Sequence, residues 1–176
     1  MALKPIRVEE CLAWTHPRYQ PSEHGGLVSF VEMSGMPFST YAADPSGIQM
    51  IGVQRHDVYD FDDSQHQRYP RGRIVHDIFD DQIRIIVRGE ITTNFIHPDS
   101  ANNIASSIIA YAGPSGLFTH DSSFSGDIVG MFLSEISGGE QSVMVEGDVF
   151  NYPRKSVTTP GYAKVRLKFY GSPGSI

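Results

Sequence analysis

Cysteine and long apolar runs are scarce in this chain of 176 residues, and each scarcity excludes a class of protein. The single cysteine, Cys11, excludes an internal disulfide, and the sequence has neither a CxxC pair nor a zinc-type spacing of cysteine and histidine. No apolar run approaches the ~20 residues of a membrane-spanning helix. Glu9 and Glu10 stand where a secretory leader has its apolar core. We therefore expect a protein made in the cytoplasm, without a membrane partner.

Basic residues are too few for a protein that holds nucleic acid by its phosphates. Lysine and arginine number 14 against 20 aspartates and glutamates, so the net charge is −6. Binding of nucleic acid without regard to sequence requires a basic patch. Charged residues make up only 19% of the chain, which also contains 17 glycines and 11 prolines, and this composition excludes a coiled coil or an acidic tail. We expect a loop-rich globular domain without a nucleic-acid partner.

The apolar residues that are present favour strands over helices. Sixteen isoleucines and thirteen valines stand against six leucines and nine alanines, and β-branched side chains suit a pleated sheet. Turn signals separate seven strand candidates, at residues 27–33, 48–53, 83–91, 104–112, 128–133, 143–149 and 164–170. The sequence thus predicts an all-β fold, with a single barrel or sandwich-like domain of about seven or more strands over residues 27–176.

The candidate strand 83–91 has the clearest alternation. Its odd-numbered positions, Ile85 and Ile91 among them, are predicted to face the core. Its even-numbered positions, which are charged except for Ile86, are predicted to face outward. Residues 87–91 share with 145–149 an order of apolar, charged, glycine, acidic and apolar residues. Its central glycine, Gly89 in the first copy, is expected at a bulge or a barrel corner. Two strands of one sheet explain the likeness better than a repeat does, so no repeat architecture is predicted.

Two segments carry features of an interface. Residues 1–26 contain three prolines and no sustained period, which predicts an extended N-terminal arm; a first loop or a frayed terminus is the alternative. Trp14 and Tyr19 on this arm are amphipathic anchors of the kind that dominate interfaces. The segment 128–133 is apolar on both faces, so it is either central in a two-layer packing or pressed against another chain. Its candidate interface residues are Met131 and Phe132.

The stretch from residue 55 to 82 is the densest in ionisable groups. It holds seven aspartates and no lysine, and Arg68, Arg71 and Arg73 are candidates for ion pairs with a partner because the guanidinium group suits bidentate pairing. A long solvated loop explains the same charges. The aromatic residues of this stretch, which would offer a platform for a glycan or form a half-buried loop core, are Tyr59, Phe61, Tyr69 and Phe79.

No pattern in the sequence identifies a catalytic centre. A calcium-loop spacing that begins at Asp60 fails at Gln65, where glycine is required, and at Arg71, where glutamate is required. Three His-Asp dipeptides lack the long helices on which metal-dependent phosphohydrolases hold such pairs. The sequence has no phosphate-binding glycine loop and no nucleophile elbow, and residues 113–116 form a turn motif. We expect no catalytic residue, no resident metal and no cofactor.

Residues 104–149 resemble the capsid cement, or decoration, proteins of tailed bacteriophages. The similarity lies in the run Tyr-Ala-Gly-Pro-Ser-Gly-Leu-Phe-Thr at 111–119, the run Ser-Ser-Phe-Ser-Gly at 122–126, and the run Asp-Ile-Val-Gly-Met-Phe-Leu-Ser at 127–134. In this pattern a hairpin precedes a buried strand, in which Gly130 permits the close approach of a neighbouring backbone.

The resemblance implies a structural virion protein. Such a protein sits as a homotrimer on the outer surface of the head and bridges subunits of the major capsid protein, without catalysis or cofactor. The alternative is a tail or receptor-binding β domain that recognises a host glycan, and a small β-barrel enzyme is disfavoured because no catalytic motif is present.

Overall fold

The computed structural model describes residues 3–14, 19–20, 25–33, 36–40, 45–46, 49–55, 82–145, 147–148 and 155–169. These residues form strands that are joined by turns and by 3-10 helices of three residues. The strands are β1 (Leu3–Trp14), β2 (Tyr19–Gln20), β3 (Leu27–Met33), β4 (Met36–Thr40), β5 (Met50–Gln54), β6 (Gln82–Thr93), β7 (Ile109–Ala112), β8 (Phe118–Thr119), β9 (Ile128–Phe132), β10 (Gln141–Val145), β11 (Gly147–Asp148), β12 (Lys155–Thr159) and β13 (Ala163–Lys168). The all-β prediction is confirmed.

Nine of these strands form one sheet that curls into a nearly closed, barrel-like shape. Its order is β4-β3-β5-β6-β13-β9-β7-β8, and β1 pairs with β6 in addition. β10 and β12 form a separate two-stranded sheet, as do β11 and β2. In the described part of the chain, none of the helices has the length and apolar character needed to cross a membrane.

The curled sheet encloses one large apolar core. Its largest fully buried side chains include Phe95, Phe118 and Phe132, and Val143 and Val145 of β10 complete it. A second, smaller cluster joins Val28, Ile51 and Ile85. The sheet is therefore covered by apolar contacts on both faces near β5 and the first half of β6.

The sequence predicts that the side chains of β6 alternate regularly between the two faces of the sheet, but in the structure this alternation is interrupted. Ile85 belongs to the small cluster, whereas Ile86 and Ile91 belong to the main core, so the prediction that Ile85 and Ile91 share a face is wrong. The physical cause is an irregular stretch around Gly89, where the register against β1 shifts twice and Gly89 adopts a φ of 122°. An irregularity of this kind turns the following side chains to the other face.

Residues 3–14 of the predicted N-terminal arm form the strand β1. β1 pairs antiparallel with β6 from Leu3 opposite Thr93 to Trp14 opposite Gln82. Arg55 at the end of β5 approaches it as well, with Nε 2.8 Å from Oε1 of Glu10. Residues 3–14 are therefore a strand of the domain, and the boundary predicted at residue 26 does not separate them from it. The backbone N–H and C=O groups of β6 need hydrogen-bond partners along both edges of the strand. A neighbouring strand can supply these partners even when its side chains do not alternate between apolar and polar.

Candidate functional site

Four neighbouring strands place one side chain each in a continuous row on the outer face of the sheet. Ile109 on β7 lies opposite Met131 on β9. Met131 in turn lies opposite Arg166 on β13, and Arg166 lies opposite Glu90 on β6. One half of the row is therefore apolar and the other half is charged.

A bulge in β9 adds Ile128 to the apolar half of this row. Gly130 pairs with Ala110 and Ile128 pairs with Tyr111, which leaves Val129 as an extra residue. In a regular strand, residues three apart point to opposite faces, and the bulge removes this restriction. Val129 is consequently buried, whereas Ile128 and Met131 are both exposed.

The exposure of the apolar side chains is high for their size. Ile109, Ile128 and Met131 are 43%, 41% and 39% exposed, and the neighbouring Ile108 is 37% exposed. Three of these side chains, at Ile109, Ile128 and Met131, line one surface feature, and grouped apolar side chains mark a contact site more often than single ones do.

Gly130 brings β9 unusually close to β13. A Cβ atom at this position would overlap the carbonyl oxygen of Arg166, so only glycine permits the observed separation of the two backbones. The close backbone approach expected at this glycine is confirmed.

These strands line a shallow groove, which we call the outer groove. Its volume is about 820 Å³. Its lining residues are Arg88, Gly89, Glu90, Ile109, Ile128, Gly130, Met131, Arg166, Leu167 and Lys168. A volume of this order is typical of a site that receives a small molecule or a few side chains.

The charges of the outer groove are biased toward the positive. Arg166 donates from Nε and Nη2 to Oε1 of Glu90, at 3.1 and 2.7 Å. The next outward pair along the same two strands is Lys168 opposite Arg88. Three cations and one carboxylate thus line a groove on a chain whose net charge is −6. The groove offers apolar contact at one end and positive charge at the other. This combination suits the binding of a partner.

A second cluster, in the turns beside β8, holds the residues that most resemble catalytic ones. The Oγ atom of Ser100 lies 2.9 Å from Nδ1 of His120 and 3.1 Å from Oγ1 of Thr119, and it accepts a hydrogen bond from the backbone N–H of His120. Ser100 is fully buried. Because these contacts engage its oxygen and the chain covers it, we interpret Ser100 as a structural hydrogen-bonding centre rather than a nucleophile.

His97 lies beside this centre in a partly buried position. Its Nδ1 accepts a hydrogen bond from the N–H of Asp99, and its ring lies 4.9 Å from that of Phe124. Burial lowers the pKa of His97 below its usual 6.5, although the carboxylates of Asp99 and Asp121 oppose the shift. Among the described residues, no three histidine, cysteine or acidic side chains converge on a point that would hold a metal ion.

The predicted interface residues lie in different parts of the molecule, and only one of those that the structure describes lines the outer groove. Met131 is in the outer groove, but Phe132 points the other way and is fully buried in the main core. Its assignment to an interface is therefore corrected, because adjacent residues of a strand face opposite sides. The other candidates lie outside the described part of the structure. They are the side chains of Trp14 and Tyr19, the residues Arg68, Arg71 and Arg73, and the aromatic residues of the 55–82 stretch.

Sequence analysis missed most of the outer groove. Ile109 stood within a predicted strand, and the doublet Ile108-Ile109 was a signal that one large side chain would face outward. No local pattern indicates that Arg88 and Lys168 are neighbours, since about eighty residues separate them in the chain.

Comparison with known proteins returns no relative: no family model, no curated protein and no solved structure matches this chain.

Proposed function

We propose that this protein is a capsid cement protein of a tailed bacteriophage, which binds the outer surface of the head as a homotrimer and bridges subunits of the major capsid protein. One observation carries the proposal. The segment that resembles such proteins, residues 104–149, is also the segment that supplies Ile109, Ile128 and Met131 to the outer groove. The similarity and the exposed apolar surface therefore fall on the same strands.

The small size of this surface supports the trimer that the resemblance implies. A stable protein interface buries about 800 Å² per partner, and three partly exposed side chains in a groove supply only a part of that. A single copy is therefore expected to bind weakly. Three linked copies that engage neighbouring capsid subunits would raise the overall affinity through effective concentration. Location on the virion, after synthesis in the host cytoplasm, is part of the same proposal.

The direct test is sedimentation of the purified protein with undecorated heads of the phage that encodes it. We expect the full chain to sediment with the heads and to delay their loss of DNA on heating. Met131→Asp places a charge in the outer groove and should abolish co-sedimentation. Ile108→Asp is the matched control, because Ile108 is exposed to a similar extent and does not line the groove. Heads that do not retain the unaltered protein would contradict the proposal.

The oligomeric state is tested separately by light scattering and by image reconstruction of decorated heads. We expect a mass of three 19.5 kDa chains, or threefold clusters on the head. A monomer in solution together with isolated copies on the head would contradict the trimer while leaving the binding itself intact.

A further inference from the structure

We propose that Asp127 is a positioning residue of the outer groove: its carboxylate fixes the register of β9, so that Ile128 faces the groove and Val129 faces the core. The inference rests on the proposed function only for the use of the groove, which is contact with the capsid. The effect of Asp127 on the register is argued from the strands themselves.

The side chains of β9 do not determine its register. Ile128 and Val129 are adjacent β-branched apolar residues, and either one suits a core or an apolar surface. With Gly130 opposite Ala110, a regular strand would place Val129 opposite Tyr111 and turn its side chain outward. Ile128 would then be buried in place of Val129. Because hydrophobic pattern normally sets register, a strand that is apolar on both faces needs another contact to fix it.

The observed pairing contains an extra residue because the chain is held on both sides of the bulge. After the bulge, Gly130 packs so closely on β13 that a Cβ atom would overlap the carbonyl oxygen of Arg166. Before the bulge, the carbonyl oxygen of Asp127 accepts a hydrogen bond from the backbone N–H of Ala112 at 2.8 Å. Between these two points β9 has two residues and β7 has only Tyr111. One residue of β9 must therefore bulge.

The carboxylate of Asp127 holds the first of these two points. Its Oδ2 accepts a hydrogen bond from the backbone N–H of Met50 at 3.0 Å, and 77 positions separate the two residues in the chain. Met50 begins β5 and is buried in the main core. In the sheet, β6 and β13 lie between β5 and β9. The bond is therefore no part of the strand pairing, and it fastens the residue before β9 to a distant strand.

This bond opposes the regular pairing. Removing the bulge would move Asp127 by one residue along β7, which is ~3.3 Å. A shift of this size breaks the hydrogen bond to Met50 and leaves that N–H without its carboxylate partner, which is costly for a backbone group beside the core. The side chain of Asp127 is exposed, so its charge remains in contact with water while one oxygen holds the amide. A charged acceptor makes a strong hydrogen bond.

The register decides which side chain the outer groove presents. Ile128 lines the groove and is 41% exposed, whereas Val129 is fully buried. In the regular pairing, valine would replace isoleucine opposite Tyr111, and the groove would lose one methylene of contact surface. Burial of one methylene corresponds to about fourfold in affinity.

The test is thiol labelling of two reporter substitutions, Ile128→Cys and Val129→Cys, in the full chain. Peptide mass spectrometry locates the label and distinguishes it from label on Cys11. With Asp127 present, Ile128→Cys should react at least about tenfold faster than Val129→Cys, because only the buried position must wait for local opening. Adding Asp127→Ala should reverse this order. Adding Asp127→Asn should preserve it, since an amide oxygen still accepts from the N–H of Met50.

Asp99→Ala is the matched control. Asp99 is also an exposed aspartate, and its carboxylate lies beside His97, so the order of labelling should stay as it is with Asp127 present. An unchanged order in Asp127→Ala would overturn the inference. Equally fast labelling of both reporters would also overturn it, because a merely structural residue would loosen the whole strand. If Asp127→Ala does not fold, Asp127→Ser should give the reversal, since its hydroxyl is too short to reach Met50; an unchanged order there would overturn the inference.

Co-sedimentation with heads separates this inference from the proposed function. If the order of labelling reverses in Asp127→Ala and the affinity for heads falls about fourfold, both stand. If the order reverses and heads bind this variant as tightly as the unaltered chain, Asp127 sets the register but the groove is not the head-binding surface. If Met131→Asp abolishes head binding while the order is unchanged in Asp127→Ala, the proposed function stands and the inference fails.

Discussion

The Ser100 centre has the residue types of a catalytic site but is closed to a partner, whereas the outer groove has ordinary residue types and is open to one. The Ser100 centre contains a serine, two nearby histidines and two aspartates, the residue types from which hydrolytic sites are built, yet its hydroxyl is buried and occupied by neighbours of the same chain. The outer groove consists of ordinary strand residues, and its large apolar side chains Ile109, Ile128 and Met131 are exposed. The difference teaches that availability to a partner, more than residue type, identifies the candidate site here.

The same contrast exists within one strand. β9 contributes Phe132 to the core and Met131 to the groove, although the two residues are adjacent in the chain. A strand that is apolar on both faces therefore contributes to stability with one face and is free to contact a partner with the other. The following substitutions test whether these two tasks are separable.

The largest effect is expected on the core side of β9. Phe132→Ala should lower the free energy of unfolding by about 3–5 kcal/mol, because it leaves a cavity in a packed core. Met131→Ala should change it by less than ~0.5 kcal/mol, since its side chain is at the surface. Urea unfolding of the two variants measures the difference. Equal losses would mean that the two faces of β9 are not distinct.

Gly130→Ala should come next, with a loss of about 3 kcal/mol. The added methyl group would overlap the backbone carbonyl of Arg166, and a backbone group cannot rotate away as a side chain can. The separation of β9 from β13 should then also reduce binding in the outer groove. Gly139→Ala offers a comparison, because a Cβ atom there meets no neighbour and only the positive φ of 70° opposes it. A Gly130→Ala protein with unchanged stability would contradict the close packing of the two strands.

Ser100→Ala should cost about 1–2 kcal/mol of stability and leave binding to heads unaffected. The substitution removes the hydrogen-bond partner of buried polar groups at Thr119 and His120. Thermal unfolding and co-sedimentation with heads measure the two properties in parallel. Loss of binding without loss of stability would show that the Ser100 centre, and not the outer groove, is the functional site.

The pH dependence of stability should reflect His97. Because burial lowers its pKa, the unfolded chain binds a proton more readily than the folded one between the folded pKa and 6.5. Its stabilising effect is therefore fully present above pH 6.5 and declines as the pH falls toward the folded pKa. The melting temperature should drop between pH 7 and pH 5, and less so in His97→Gln.

Asp121 provides the control for this titration. Its pKa is lowered from 3.8, chiefly because its carboxylate accepts hydrogen bonds from the backbone and side chain of Ser123. The corresponding loss of stability therefore lies below pH 3.8. Because the Asp121 carboxylate also raises the pKa of His97, Asp121→Asn should enlarge the drop between pH 7 and pH 5, whereas His97→Gln should reduce it. An unaltered drop in His97→Gln would assign that drop to another group.

The smallest effect on stability is expected at the charged half of the row. Glu90→Gln removes an ion pair with the exposed guanidinium of Arg166 and should cost less than about 1 kcal/mol. Urea unfolding measures this loss, and a loss well above ~1 kcal/mol would contradict the small contribution expected of an exposed ion pair.

Local pattern was sufficient for several of the strands. The prediction of residues 27–33 coincides with β3, and the predicted strands at 83–91 and 128–133 lie on β6 and β9. β4 and β12 were missed because the one contains Pro37 and the other, Lys155–Thr159, has few large apolar residues. The predicted strand at 104–112 begins only at Ile109, since Ser107 takes a φ of 73° and the residues before it form turns.

The fold class could be predicted from the sequence alone, because β-branched residues and alternating polarity are local properties that each segment carries alone. The sequence also marked Gly89 and Gly130 as positions where the backbone is irregular or closely approached. Only the tertiary structure decided which apolar residues face outward, because one extra residue in β9 turns Ile128 to the surface. It also decided that Arg88 stands opposite Lys168. Such pairings depend on the register of strands far apart in the chain, and no local pattern specifies that register.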